Sequence, residues 1–235
     1  MDARSGEDSG VPDLMRLIDG RSAAFRAAVA AAPRLDVQVP NCPEWTLFAL
    51  VQHLGDGRRA WAATVAASPD AMAKSVPPQG APAAPPGARG PAGLAGGIAA
   101  GTAGRQLQEI ALHTCYAQIT VGGPQPLPVE VTLDGVEEFL STCNATTSAR
   151  PHKPTVFEYH ATEGCSWRLT VDGDGARPTR IPEPAGQELG VAGASLRGTA
   201  GELVLTLYGR IPPDSLELGG DRSVFDQLIA REPEA

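Results

Sequence analysis

The chain has 235 residues, with 27 acidic against 19 basic side chains and a formal net charge of −8. That length allows one large domain or two small ones with a sizeable core. The basic residues are scattered, which argues against nucleic acid or an anionic membrane as the main partner, because phosphate binding needs concentrated positive charge.

Small neutral or amphipathic ligands stay open. Four cysteines, at positions 42, 115, 143 and 165, form no CxxC pair, so neither a disulfide framework nor a structural zinc site is read. The polar N-terminus has no apolar stretch of signal-peptide type, and the uncharged run from Gly90 to Gly104 is rich in glycine and alanine rather than continuously apolar. The expected location is the cytoplasm.

In chain order, Leu14, Leu17, Ile18, Phe25 and Val29 repeat at helical spacing and predict a helix over 12–32, with Pro12 in its first turn and Pro33 after its end. A short proline-interrupted connection leads to a second helix from about Thr46 to Ala67, with Glu44 and Thr46 as capping or first-turn groups. The segment from Pro69 to Gly104 changes character. Its density of proline and glycine predicts an irregular loop, since proline removes donors and glycine raises the entropy cost of ordering.

A third helix is expected over 103–121, ended by Gly122 and Gly123, and a shorter one over 135–143. Beyond it the period shortens. Residues 155–160, 166–172 and 202–208 are β-prone, the Asp-Gly pairs at 172–175 predict a tight turn, and Leu196-Arg197-Gly198 reads as a turn before a strand or helix at 203–207. A terminal helix is expected over 223–231. The fold class is therefore α+β: a helical domain over 1–145 that carries the Pro/Gly-rich loop at 69–104, then a small mixed α/β domain over 146–235.

Glu109 and His113 lie four apart on one face of the third helix, and His53 sits in an otherwise apolar run of the second. Two imidazoles and a carboxylate form one of the ligand sets that holds a catalytic zinc with a position left open for water or a thiolate. The plainer alternative is a surface Glu–His pair and a satisfied core histidine. Tyr116, one turn beyond His113, is either a phenolic donor near that face or a packing residue. Arg105, one turn before Glu109, is a partner for that carboxylate or a contact for an acidic ligand, or else a solvated ion pair.

Trp61, two turns after His53, is a candidate pocket wall, while Trp45 is read as packing. Arg197 and Arg210 are candidates for gripping a carboxylate in two-bond geometry. Cys115 is read as a small buried hydrophobe. His152 and His160 are not assigned to a metal. No Walker-type, GxGxxG or nucleophile-elbow pattern occurs.

PNCPEWTLFALVQHLGD, from Pro40 to Asp56, resembles the start of the second helix in the mycothiol-dependent maleylpyruvate isomerase family, part of the wider DinB-like bundle superfamily. RQLQEIALHTCYAQI (Arg105 to Ile119), VTLDGVEEFL (Val131 to Leu140) and SLRGTAGELVLTLYGRIPPDSLELGGDRSVFDQLI (Ser195 to Ile229) resemble that family's later segments, in the same order. The resemblance implies an up-and-down DinB-like bundle followed by a small α/β domain. It also implies a divalent metal, usually zinc, held by His53, Glu109 and His113, and the thiol cofactor mycothiol. Metal binding would lower the thiol pKa, and the thiolate would add to an electrophilic carbon of a small substrate, in an S-transferase or a cis–trans isomerase.

The chain departs from that pattern at Gln108, where a histidine is common, and at Tyr116, where an acidic residue is common. Its 69–104 loop also lacks the tryptophan-containing segment of the family. These departures keep two alternatives open: a metal-dependent hydrolase or lyase using metal-bound water, and a non-catalytic small-molecule-binding or regulatory member of the fold. Expected partners are a small-molecule thiol and its electrophile, with no nucleic acid and no membrane, on a monomer or homodimer.

Overall fold

The computed structural model describes residues 11–40, 42–67, 98–145, 154–181 and 193–229. The chain divides into two compact units, residues 1–131 and 132–235.

The first unit is a bundle of three long helices, α1 (Val11–Ala31), α2 (Leu47–Ala67) and α3 (Ile98–Thr120). A short antiparallel ribbon, β1 (Gln38–Val39) with β2 (Cys42–Thr46), lies between α1 and α2. Leu14, Leu17, Ala103, Leu107 and Ala111 form one buried cluster. Phe25, Val39, Trp45, Leu47, Leu50, Leu54, Ile110, Tyr116 and Ala117 form a second. The Thr114 hydroxyl donates to the carbonyls of Ile110, at 2.6 Å, and of Arg21, at 3.1 Å, so a hydrogen bond as well as packing fixes α3 on α1.

The expected α3 start at residue 103 is corrected to Ile98. The Gly/Ala run that predicts loop over 98–104 is helical, because small residues let α3 approach α1 closely and Ala103 is buried with Leu14 and Leu17. Glycine costs about 1 kcal/mol in a helix interior, and this packing offsets it. The remainder of the expected loop, 68–97, lies outside the described residues, as does His152.

Helix α4 spans Val129–Phe139 and closes in a wide π turn, Leu140–Asn144. It starts six residues before the expected helix, because Val131 and Val136 already supply a buried face.

The second unit is a five-stranded sheet with two short helices: β3 (Thr155–Ala161), β4 (Ser166–Asp172), β5 (Gly175–Ile181), β6 (Ala194–Gly198), α5 (Ala200–Leu207), β7 (Glu217–Gly220) and α6 (Arg222–Ile229). The strand order is β5-β4-β3-β6-β7, with β3 and β6 parallel and the other neighbours antiparallel. Phe157, Tyr159, Leu169, Val171 and Leu196 bury one side of the sheet, and Phe225 of α6 meets Phe157 at 5.3 Å between ring centroids.

Two expectations are corrected here. Leu196-Arg197-Gly198 is the end of strand β6, not a turn, since Ala194 and Leu196 alternate inward beside β3. Residues 202–208 do not form a strand. Thr199 caps a helix there, its hydroxyl accepting from Glu202 N–H while the Glu202 carboxylate accepts from Thr199 N–H, and Ala200, Leu203 and Val204 share its buried face. Among the described residues, no helix is long and apolar enough to cross a membrane.

Candidate metal centre

The site starts from the ribbon. Leu47 N–H donates to Val37 O and Phe48 N–H to Leu35 O, while the Thr46 hydroxyl accepts from Ala49 N–H at 3.2 Å and caps α2. Trp45 is thereby held immediately before the cap, and His53 follows two turns into the helix. Glu109 and His113 come from the middle of α3, one turn apart.

The structure brings these three side chains together. His53 Nε2 is 2.8 Å from Glu109 Oε1, and one ligating atom from each of His53, Glu109 and His113 lies within 4.8 Å of the others. Around a tetrahedral ion with bonds of about 2.1 Å the ligand atoms lie about 3.4 Å apart, so a closure of about 1.4 Å at the widest pair would complete the coordination. His113 Nδ1 sits 2.7 Å from the backbone carbonyl of Glu109. A carbonyl only accepts, so Nδ1 carries a proton, and in the neutral ring Nε2 is then the nitrogen able to ligate an ion. Metal-bound histidines are oriented in the same way, through a hydrogen bond from the second ring nitrogen.

The two imidazoles stack at 5.0 Å with 24° between their planes. Glu109 remains 44 % exposed whereas the His113 side chain is 9 % exposed, so the cluster opens to solvent on the carboxylate side. Burial alone would raise the Glu109 pKa. The charge of His113, with the hydrogen bond and charge of His53, outweighs it and holds the carboxyl below its ordinary value. Two imidazoles and one carboxylate are a donor set that holds first-row divalent ions.

Tyr116 is buried, with its ring edge-on to His113 at 5.6 Å. Gln108, also buried, donates from Nε2 to Val131 O at 3.1 Å. Arg105 lies one turn before Glu109 on α3, and Trp61 two turns after His53 on α2, both partly buried.

Arg197 and Arg210 lie in the second unit, where exposed Arg197 on β6 pairs with Glu217 of β7 at 3.9 Å. Cys115 is partly buried and desolvation raises its thiol pKa, which fits a packing role better than a nucleophile.

Trp45, read from the sequence as packing, is buried in the core as expected, and it also lies against the two imidazoles. Its ring lies 4.7 Å from that of His53, edge-on, and 6.2 Å from that of His113. The available signal was its place just before the cap, where an apolar residue packs against the helix's fourth position, here Leu50 in the same buried cluster.

The Mycothiol maleylpyruvate isomerase N-terminal domain matches residues 15–102, and the MDMPI C-terminal domain matches residues 130–227. The chain belongs to the mycothiol-dependent maleylpyruvate isomerase family. Glu109 and His113 lie between the two matched segments, so their pairing with His53 rests on the geometry alone. Family membership supports a mycothiol-dependent activity of isomerase or transferase type.

No curated protein matches the chain. Among solved structures, a double mutant of the sec-alkyl sulfatase PisA1 aligns at 12 % identity over 89 % of this chain, with a TM-score of 0.29. This chain spans 32 % of that protein's length, and at that score the likeness carries no argument.

Proposed function

We propose that this family member is a divalent-metal-dependent enzyme that uses mycothiol to attack a small electrophilic substrate, as an S-transferase or a cis–trans isomerase working in the cytoplasm. The observation that carries the reading is the convergence of one ligating atom each from His53, Glu109 and His113 within 4.8 Å, with His113 Nδ1 against the Glu109 carbonyl.

In this reading His53, Glu109 and His113 hold the ion, proposed to be zinc. When bound, the ion lowers the pKa of an approaching thiol and offsets negative charge that develops on the substrate. Glu109 keeps the approach polar on its exposed side, and the buried Tyr116 ring walls His113 on the other. Arg105 of α3 and Trp61 of α2 contact the thiol or substrate from the two helices.

Protein purified without added metal is expected to carry one divalent ion per chain and to lose it in His53→Ala and Glu109→Ala. The parent should consume electrophilic substrates only when mycothiol is supplied. Metal-dependent turnover without thiol would replace this reading with metal-bound water as the nucleophile. Bound metal with ligand binding but no turnover would make the protein a binding member of the family.

A further inference from the structure

The two imidazoles of the cluster are steadied in different ways. His113 has its second nitrogen tied to the Glu109 carbonyl. For His53, among the described residues, the hydrogen bonding is limited to Nε2 with Glu109 Oε1, and both of those atoms are the ones that would turn to an ion. Once they did so, no hydrogen bond would be left to fix the His53 ring. Beside that ring lies the ring of Trp45, edge-on at 4.7 Å.

Trp45 is well placed to act as a wall. It is 1 % exposed, its backbone is held between the β1–β2 pairing and the Thr46 cap, and it packs in the cluster that holds Leu47, Leu50 and Leu54 of α2. Its indole N–H is buried and has no acceptor among the described residues. Burying a donor without a partner is unfavourable, so hydrogen bonding does not explain a tryptophan here. Its ring does, because a large rigid face close to both imidazoles removes alternative His53 rotamers.

We infer that Trp45 is a positioning residue that presets the His53 imidazole for metal ligation through ring contact, its N–H taking no part. The inference rests on the metal reading of the cluster. Where ligand orientation is set by surrounding groups, their loss costs about 10- to 100-fold in metal affinity.

The test is competition of the full chain with a chromophoric chelator for Zn²⁺, together with the visible spectrum of bound Co²⁺, on the parent, Trp45→Phe and Trp45→Leu, with folding followed by circular dichroism. Trp45→Leu is expected to bind Zn²⁺ about 10- to 100-fold more weakly and to shift the Co²⁺ bands. Trp45→Phe, which keeps a ring and drops the N–H, should stay within a few-fold of the parent with an unchanged spectrum. If Trp45→Leu does not fold, Trp45→Met, whose unbranched side chain adapts to an irregular gap without a ring, takes its place and carries the same expectation.

Parent affinity and spectrum in the ringless variant would overturn the inference, as would a loss in Trp45→Phe equal to that in the ringless one. The metal reading fails differently: the parent itself would bind no ion, or its ion would survive His53→Ala and Glu109→Ala.

Discussion

His53 and Glu109 are 56 residues apart in the chain and 2.8 Å apart in space, Nε2 to Oε1. His113 Nδ1 lies 3.8 Å from the same oxygen, so both imidazoles face one oxygen of the carboxylate. Burial works to raise its pKa, but the His113 charge and the His53 hydrogen bond and charge prevail, leaving it below the ordinary 4.5. A carboxyl lower in the folded than in the unfolded chain stabilises the fold in full above the unfolded value, and that contribution is lost as pH falls through the lowered folded value.

The metal-free protein should therefore lose stability as pH drops below about 4.5, with part of that slope absent in Glu109→Gln. Urea midpoints measured across the acid range on both proteins check this. Parallel slopes would mean that the carboxylate gains nothing from its histidines.

How much of this was legible beforehand depends on the distance over which each feature is encoded. The i,i+4 spacing of Glu109 and His113 and the apolar context of His53 are local, and they led to the cluster. The part played by Trp45 is not local, because it depends on ring contacts with α2 and α3 that no spacing rule encodes.

Strand β5 was passed over because Pro178 interrupts it, which an edge strand tolerates and a central one does not. The stretch at 202–208 reads as β-prone from its valine, leucines and threonine, yet the Thr199–Glu202 box decides for helix. The early start of α3 was hidden because glycine-rich sequence resembles loop until a partner helix is known.

A buried carboxylate governs the sheet. Glu158 on β3 is 2 % exposed; Arg168, its cross-strand partner on β4, donates to its Oε1 from Nε at 3.0 Å and Nη2 at 2.6 Å. His160 Nε2 lies 3.4 Å from the other oxygen. Arg168→Ala strands the charge and should destabilise the fold by about 3 kcal/mol, the low end for a broken buried pair because the guanidinium is partly exposed. Replacing both partners, as Glu158→Leu with Arg168→Met, should recover most of that loss. Equal losses in the single and double variants, read from urea denaturation, would show that the pair is not the source.

The capping box of α5 gives a smaller effect. Thr199→Ala removes the hydroxyl that accepts from Glu202 N–H and should cost about 1 kcal/mol, with Thr199→Ser close to neutral. Because α5 begins where β6 ends, a loss of this size would appear in the main unfolding transition. An alanine variant as stable as the serine one would contradict the assignment of the cap.

Tyr159 supplies a change expected to stabilise. Its ring packs edge-on to Phe225 at 6.2 Å, but its hydroxyl is buried with no hydrogen-bond partner among the described residues, and burial pushes its pKa well above the ordinary 10.0. A phenol harder to ionise in the folded than in the unfolded chain withdraws stability as pH rises past the unfolded value, because only the unfolded form then releases the proton. Tyr159→Phe removes both the unmet donor and the ionisation while keeping the ring contact. It should raise stability at neutral pH by about 1 kcal/mol and flatten the decline at alkaline pH, measured by urea denaturation on either side of the ordinary phenol value. A destabilised variant would mean that the hydroxyl has an acceptor in solution.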